Sequence, residues 1–235
     1  MAFSASPLVH SHAAGLNSTI TTPGIDTTGA DLLIVSVSQY VGFSVGTLTD
    51  SKSNSWSGLT AQVGSSNIYT RLYYSIPTSV GSSHTFSFNN GGALAGAIDV
   101  QAWSGADPTP FDVENGAKGS GITSKQPGSI TPNNANSLII SALGTDGGTG
   151  YSVNSSLTIS DFDDYSGGNN EGQALAWFVQ GAAAAINPTW SWSGSSTETA
   201  AVIAAFKPLA GGGGGNTVNL FTGLIGGRLI GGLVN

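Results

Sequence analysis

The feature that most constrains this chain is that it says nearly the same thing twice. "IDTTGADLLIVSVS" (Ile25 to Ser38) is echoed by "ITPNNANSLIISAL" (Ile130 to Leu143), 105 positions later. "RLYYSIPTSVGSSHTFSFNNGGALAGAIDVQAW" is echoed by "ALAWFVQGAAAAINPTWSWSGSSTETAAVIAAF", at an offset of 103 to 104. Each half carries the same succession: an apolar run, a polar middle, a strand before a small-residue turn, a short aromatic alternation, and a long Ala/Val/Ile strand. "HTFSF" and "TWSW" alternate strictly, which puts Phe86 and Phe88, or Trp190 and Trp192, on one face of a strand. "DLLIVSVS" is apolar enough to be buried on both faces. "TAAVIAAF" has helical propensity through its alanines, but its alignment with "AIDVQAW" favours a strand. Turn clusters such as "NNGG", "DGGTG" and "SGGNN" punctuate the pattern.

About five strands per half and no amphipathic helix predict an all-β fold, a jelly-roll-like antiparallel β-sandwich built from two related halves. The sandwich domain spans 1–210, with the repeat halves at about 24–105 and 129–208. Two separate domains of about 100 residues are the alternative. The intervening "SGADPTPFDVENGAKGSGITSKQPGS" reads as an ordered crossover, which favours one sandwich.

Composition narrows the functional classes. Only 8% of residues are charged, against roughly 25% in an average domain, and small polar residues take that space. Such a composition suits extracellular β-proteins and virion or filament components. A net charge of −7 with six basic residues argues against nucleic-acid binding, which needs Lys and Arg to neutralise phosphates. Cysteine is absent, so no disulfide framework, thiolate nucleophile or Cys-based metal site arises. "MAFSASPLVHSHAAG" has neither a basic n-region nor a continuous apolar h-region, so no signal peptide is read. Exterior-type composition without an export signal fits a protein made in a host cytoplasm and released by lysis, with the virion as its location.

Candidate chemistry is sparse. His10 and His12 in "HSH" fall on one face of a strand at a metal-ligand spacing, with His84 or a carboxylate as third donor. "SDFDDYSGGNNEG" gathers Asp161, Asp163 and Asp164 as candidate calcium ligands. It fails as an EF-hand, since Tyr165 and Ser166 stand at positions 5 and 6 and Gly172 replaces the final Glu. Nucleophile elbows, Ser-x-x-Lys and His-Glu-x-x-His are missing, and Asp99, Asp112, Glu114 and Glu198 stand in no catalytic motif. The expectation is a non-enzyme without a resident cofactor. Tyr73, Tyr74, Trp103, Trp177, Trp190 and Trp192 read as core; Trp56, in the polar loop "SKSNSWSGL", is the candidate for stacking on a glycan.

After the body comes "GGGGG" (211–215), a flexible spacer of roughly 12 Å. The tail 216–235 then places Leu220, Phe221, Leu224, Ile225, Leu229, Ile230, Leu233 and Val234 in pairs separated by glycines. Arg228 and the glycines argue against a membrane span, which needs about 20 mostly apolar residues. So many exposed aliphatics call for burial against a partner. The tail therefore reads as an assembly element that docks on capsid or other virion proteins, or joins sister copies in a homo-oligomer, a trimer being favoured.

The stretches "TTGADLLIVSVS", "LTDSKSNSW", "RLYYSIPTSVGSSHTFSF", "WSGADPTPFDVENGA", "QPGSITP" and "NPTWSWSGSSTETAAVIAAFKP" resemble a broad group of β-sandwich proteins encoded by bacteriophages and environmental bacteria. The resemblance covers most of residues 24 to 208. It implies a surface or virion structural module, of decoration or fibre type, and carries no catalytic signature. The ending "GLIGGRLIGGLVN" is similar to the C-termini of phage structural proteins. A glycan- or host-surface-binding adhesin and a self-assembling extracellular filament subunit are the alternatives.

Overall fold

The computed structural model describes residues 2–40, 46–64, 68–90, 95–167, 170–194 and 198–210. The linker 211–215 and the tail residues Leu220 to Val234 lie outside the described residues. Among the described residues the fold is all-β, and every strand pairing is antiparallel. The first half holds β1 (Val9–Gly15), β2 (Thr19–Thr21), β3 (Leu32–Gln39), β4 (Thr47–Asp50), β5 (Ser57–Gly58), β6 (Gln62–Val63), β7 (Tyr69–Ser75), β8 (Phe86–Asn89) and β9 (Gly96–Trp103). The second holds β10 (Ala106–Ser120), β11 (Ser124–Lys125), β12 (Ser137–Thr145), β13 (Thr149–Val153), β14 (Thr158–Asp163), β15 (Gly172–Gln180), β16 (Trp190–Ser193) and β17 (Glu198–Pro208).

The duplication runs deeper than the sequence alignment. The large sheet of the first half is ordered β1-β9-β3-β7-β5, with β6 also on β7; that of the second is β10-β17-β12-β15-β14. Three-stranded sheets β2-β8-β4 and β11-β16-β13 repeat the same order. Each half thus forms a sandwich-like unit of its own from one large and one small sheet, in place of the one shared sandwich expected from the sequence. The two large sheets pack against one another. The count exceeds the expected five strands per half. The two-residue strands β5, β6 and β11 are too short to show a period, and β10 lies in the stretch read as a crossover.

The four layers follow from alternation on doubly buried strands. In β3, Leu33, Val35 and Val37 point toward the small sheet, where Phe86, Phe88 and Ile20 meet them. Leu32 and Ile34 point the other way, into a core shared with Leu138, Ile140, Leu175, Val202 and Phe206 of the second half. In β12, Ile139 and Leu143 face Trp190 and Trp192. Full burial of one such side chain is worth about 1.5–3 kcal/mol, so the shared core binds the halves firmly. Toward its other end this interface turns polar. Ser38 and Thr70 hydroxyls lie 3.2 Å apart there. A Cβ on Gly144 would come within 2.1 Å of Thr70 Oγ1, so glycine is what lets the sheets approach.

Both ends of the described body reach one pole. Ser4 N donates to Ser104 O (3.0 Å) and Leu209 N to Gly105 O (2.6 Å), at the seam where one half passes into the other. Asp31 fixes that seam by accepting from the amides of Gly105 and Ala106.

Candidate functional site

The polar end of the interface opens at one edge of the molecule, where β1 of the first half lies against β14 of the second. Register decides which side chains meet. His12 stands opposite Asp99 and His10 opposite Gln101, on the face of the first large sheet that looks toward the second. On the facing sheet, Asp163 stands opposite Gln173 and Asp161 opposite Leu175.

The two aspartates reach this face because of a β-bulge between Ile159 and Asp161. One extra residue exchanges the two faces of everything beyond it. An unbroken ladder would turn Asp161 and Asp163 away from β1 and bring Phe162 to the interface. Instead Phe162 stands opposite Ala174, 48% exposed and edge-on to Tyr151. The bulged residue, Ser160, is itself held: its hydroxyl donates to Leu175 O (3.1 Å) and accepts from Gln101 Nε2 (2.7 Å). Gln101 Oε1 in turn takes the indole N–H of Trp103.

Two rungs of His–Asp contacts result. His10 Nδ1 lies 2.9 Å from Asp161 Oδ2. His12 Nδ1 lies 3.1 and 3.2 Å from the two oxygens of Asp163. Behind the second rung sits Asp99, wholly buried, with neither carboxylate oxygen hydrogen-bonded. Burial pushes its carboxyl well above the usual range; the Gln173 amide opposes that, and the charges of Asp163 and Asp161 add to it. Gln173 gives one of its two N–H groups to Ser36 O (3.1 Å). Burial also raises the Asp163 carboxyl, against the pull of His12. One donor atom each from His12, Asp99 and Asp163 falls within 4.8 Å of the others. One imidazole and two carboxylates form a donor set of the kind that holds a divalent metal. A cleft of about 240 Å³, lined in part by His10, Ser160 and Trp177, opens beside the first rung.

The remaining sequence candidates are distributed elsewhere. Asp164 parts from Asp161 and Asp163 and accepts from Gly150 N (2.7 Å), so the three do not converge on one calcium ion. His84 is no third ligand for His10 and His12. It is wholly buried in the first half, donating from Nε2 to Asp50 Oδ1 (2.9 Å), with Thr27 Oγ1 at 2.9 Å from Nδ1. Thr27, His84 and Asp50 follow the order of a hydrolase triad, but Thr27 and His84 are 0% exposed and the threonine hydroxyl is also bound to Gly81. The array is a structural staple. Burial pushes the Asp50 carboxyl up, yet bonds from His84, Trp56, Lys52 and Asn54 together hold it below its ordinary value.

Trp56 belongs to that staple. Its indole N–H donates to Asp50 Oδ2 (2.8 Å) and its ring meets Phe86 edge-on at 6.0 Å. Trp103 and Trp190 are wholly buried, and Trp192 and Tyr73 nearly so. Tyr74 stacks on Phe111 and Trp177 lies edge-on to Trp103. Asp112 holds Asn133, and Glu114 takes both the amide and the hydroxyl of Thr60.

Asp99 is the member of the junction that sequence reasoning left without a role. The signal was an aspartate inside "AIDVQAW", a strand otherwise apolar enough to be buried on both faces. Comparison of the chain with family models, with curated proteins and with solved structures finds no match.

Proposed function

We propose that the chain is a non-enzymatic structural protein of a bacteriophage particle, a decoration or fibre-type subunit whose double sandwich is displayed on an anchor formed by residues 216–235. The observation that carries this reading is the exit of the chain. β17 ends at Pro208, Leu209 is fastened at the seam, and five glycines and an apolar, glycine-spaced tail follow at once. A body that completes its own cores and then continues into a glycine run and an aliphatic-rich segment suits tethering. The disposition of polar groups agrees: Thr27, His84, Asp50, Asp112 and Glu114 are engaged in holding loops and strands. Capsid proteins or sister copies are the partners this reading requires, with a homotrimer favoured.

Light scattering on the full-length chain and on residues 1–210 tests it. The expected result is a defined oligomer for the full chain and a folded monomer for the truncation. Should both be monomeric, and neither bind tail-dependently to phage shells, the anchored-subunit reading falls.

A further inference from the structure

We propose that His12, Asp99 and Asp163 bind one divalent transition cation, zinc foremost, which clamps edge strand β1 to edge strand β14 and so ties the two halves together. Three observations converge on this. The donors come from three strands in two different sheets, yet lie within 4.8 Å of one another. Asp99 is wholly buried with both oxygens unpartnered, a condition that native proteins resolve by keeping the carboxyl protonated or by supplying a counter-charge. No Lys or Arg supplies it: among the described residues every ion pair is a His–Asp pair.

The charges balance on a divalent ion. Neutral imidazole and two carboxylates carry −2, which one M²⁺ cancels, leaving a neutral cluster in a desolvated place. Donor type selects the ion. Calcium takes six to eight oxygens and magnesium an octahedron of them, whereas a nitrogen donor with a few carboxylates suits zinc and its neighbours. Zinc binds such donors at about 2.0–2.2 Å, and neighbours around it are then separated by little more than the 3.1 Å between His12 Nδ1 and Asp163. The side chains of His12 and Asp163 retain 45% and 15% exposure, which gives the ion an entry path and leaves water for the remaining position.

The upper rung does not make a second site. His10 and Asp161 face Gln101, whose amide is spent on Ser160 and Trp103, and Leu175. The clamp is independent of the anchoring proposed for the tail, because its donors belong wholly to the body.

The test uses the untagged full-length chain, stripped with a chelator and titrated with Zn²⁺ and separately with Ca²⁺, by calorimetry and thermal melting. One zinc per chain is expected, with Tm raised by roughly 5–10 °C at a hundredfold excess over Kd. His12→Gln and Asp163→Asn, both at partly exposed positions, should melt like the stripped protein and lose both the stoichiometric zinc and the shift. Asp99→Asn should lose the zinc response too. Three results would overturn the proposal: no zinc-dependent shift, a shift that survives in His12→Gln and Asp163→Asn, or an equal response to Ca²⁺. The first of these would mean that Asp99 is simply kept protonated.

Discussion

Glu171 shows what a single residue contributes to the pH response of the fold. It is 2% exposed, and its Oε2 has no hydrogen-bond partner. Burial lifts its carboxyl from an ordinary 4.5 to about 9, and the charge of Asp146 pushes the same way. Between those two values the folded chain keeps a proton that the unfolded chain has released. Its contribution to stability therefore falls as pH rises through that window, and is neutral below it. Glu171→Gln removes the penalty: the variant is expected to be more stable by about 1–3 kcal/mol at pH 7.5 and little changed at pH 4, as denaturant melts at the two pH values will check. Asp50 works with the opposite sign. Its lowered carboxyl stabilises the fold above the ordinary aspartate range and withdraws that support as pH falls through its depressed value.

Among the elements, β14 is the one whose local irregularity organises a distant one. Deleting Ser160 would remove the bulge yet leave Asp161 opposite Leu175 and Asp163 opposite Gln173, both still facing β1; what is lost is the hydroxyl that holds Gln101 and Leu175 O. The expected outcome is that both His–Asp rungs persist, read as unchanged protection of the β1 amides from hydrogen exchange, with faster exchange confined to β14. The same bulge explains what the sequence could and could not disclose. The aromatic alternations at Phe86/Phe88 and Trp190/Trp192 and the runs at Leu32 and Leu138 were legible because period-two burial is written in residue type. "HSH" and "DFDD" were each visible as donor-rich, but they are 151 residues apart, and their meeting depends on a register shift and on two sheets packing. Neither has a local pattern. The short strands β5, β6 and β11 were invisible for a related reason: two residues cannot show a period. What did mark the junction was inconsistency, a buried Asp99 amid Ile98 and Val100 and an outward Phe162 between inward aspartates, the kind of broken rule that clusters at special sites.

At the scale of the whole molecule, the halves are two sandwiches that cannot be parted cheaply. Each closes a core with its small sheet, but Leu138, Ile140, Leu175, Val202 and Phe206 share a second core with Leu32, Ile34, Leu72 and Trp103 of the other half. Residues 106–210 expressed alone should therefore expose that face and self-associate; light scattering should find dimers or aggregates, and co-expression with residues 1–105 should restore a soluble 1:1 pair. β17 is an inner strand of its sheet, paired with edge strand β10 on one side and the central β12 on the other. It is also the last strand before the glycines. Any pull exerted through residue 211 onward thus enters at the end of a strand laddered on both flanks, and a load directed along that strand shears many hydrogen bonds at once instead of peeling them one by one. On the proposed anchored-subunit reading, that placement lets the body resist tension applied from its C-terminal side.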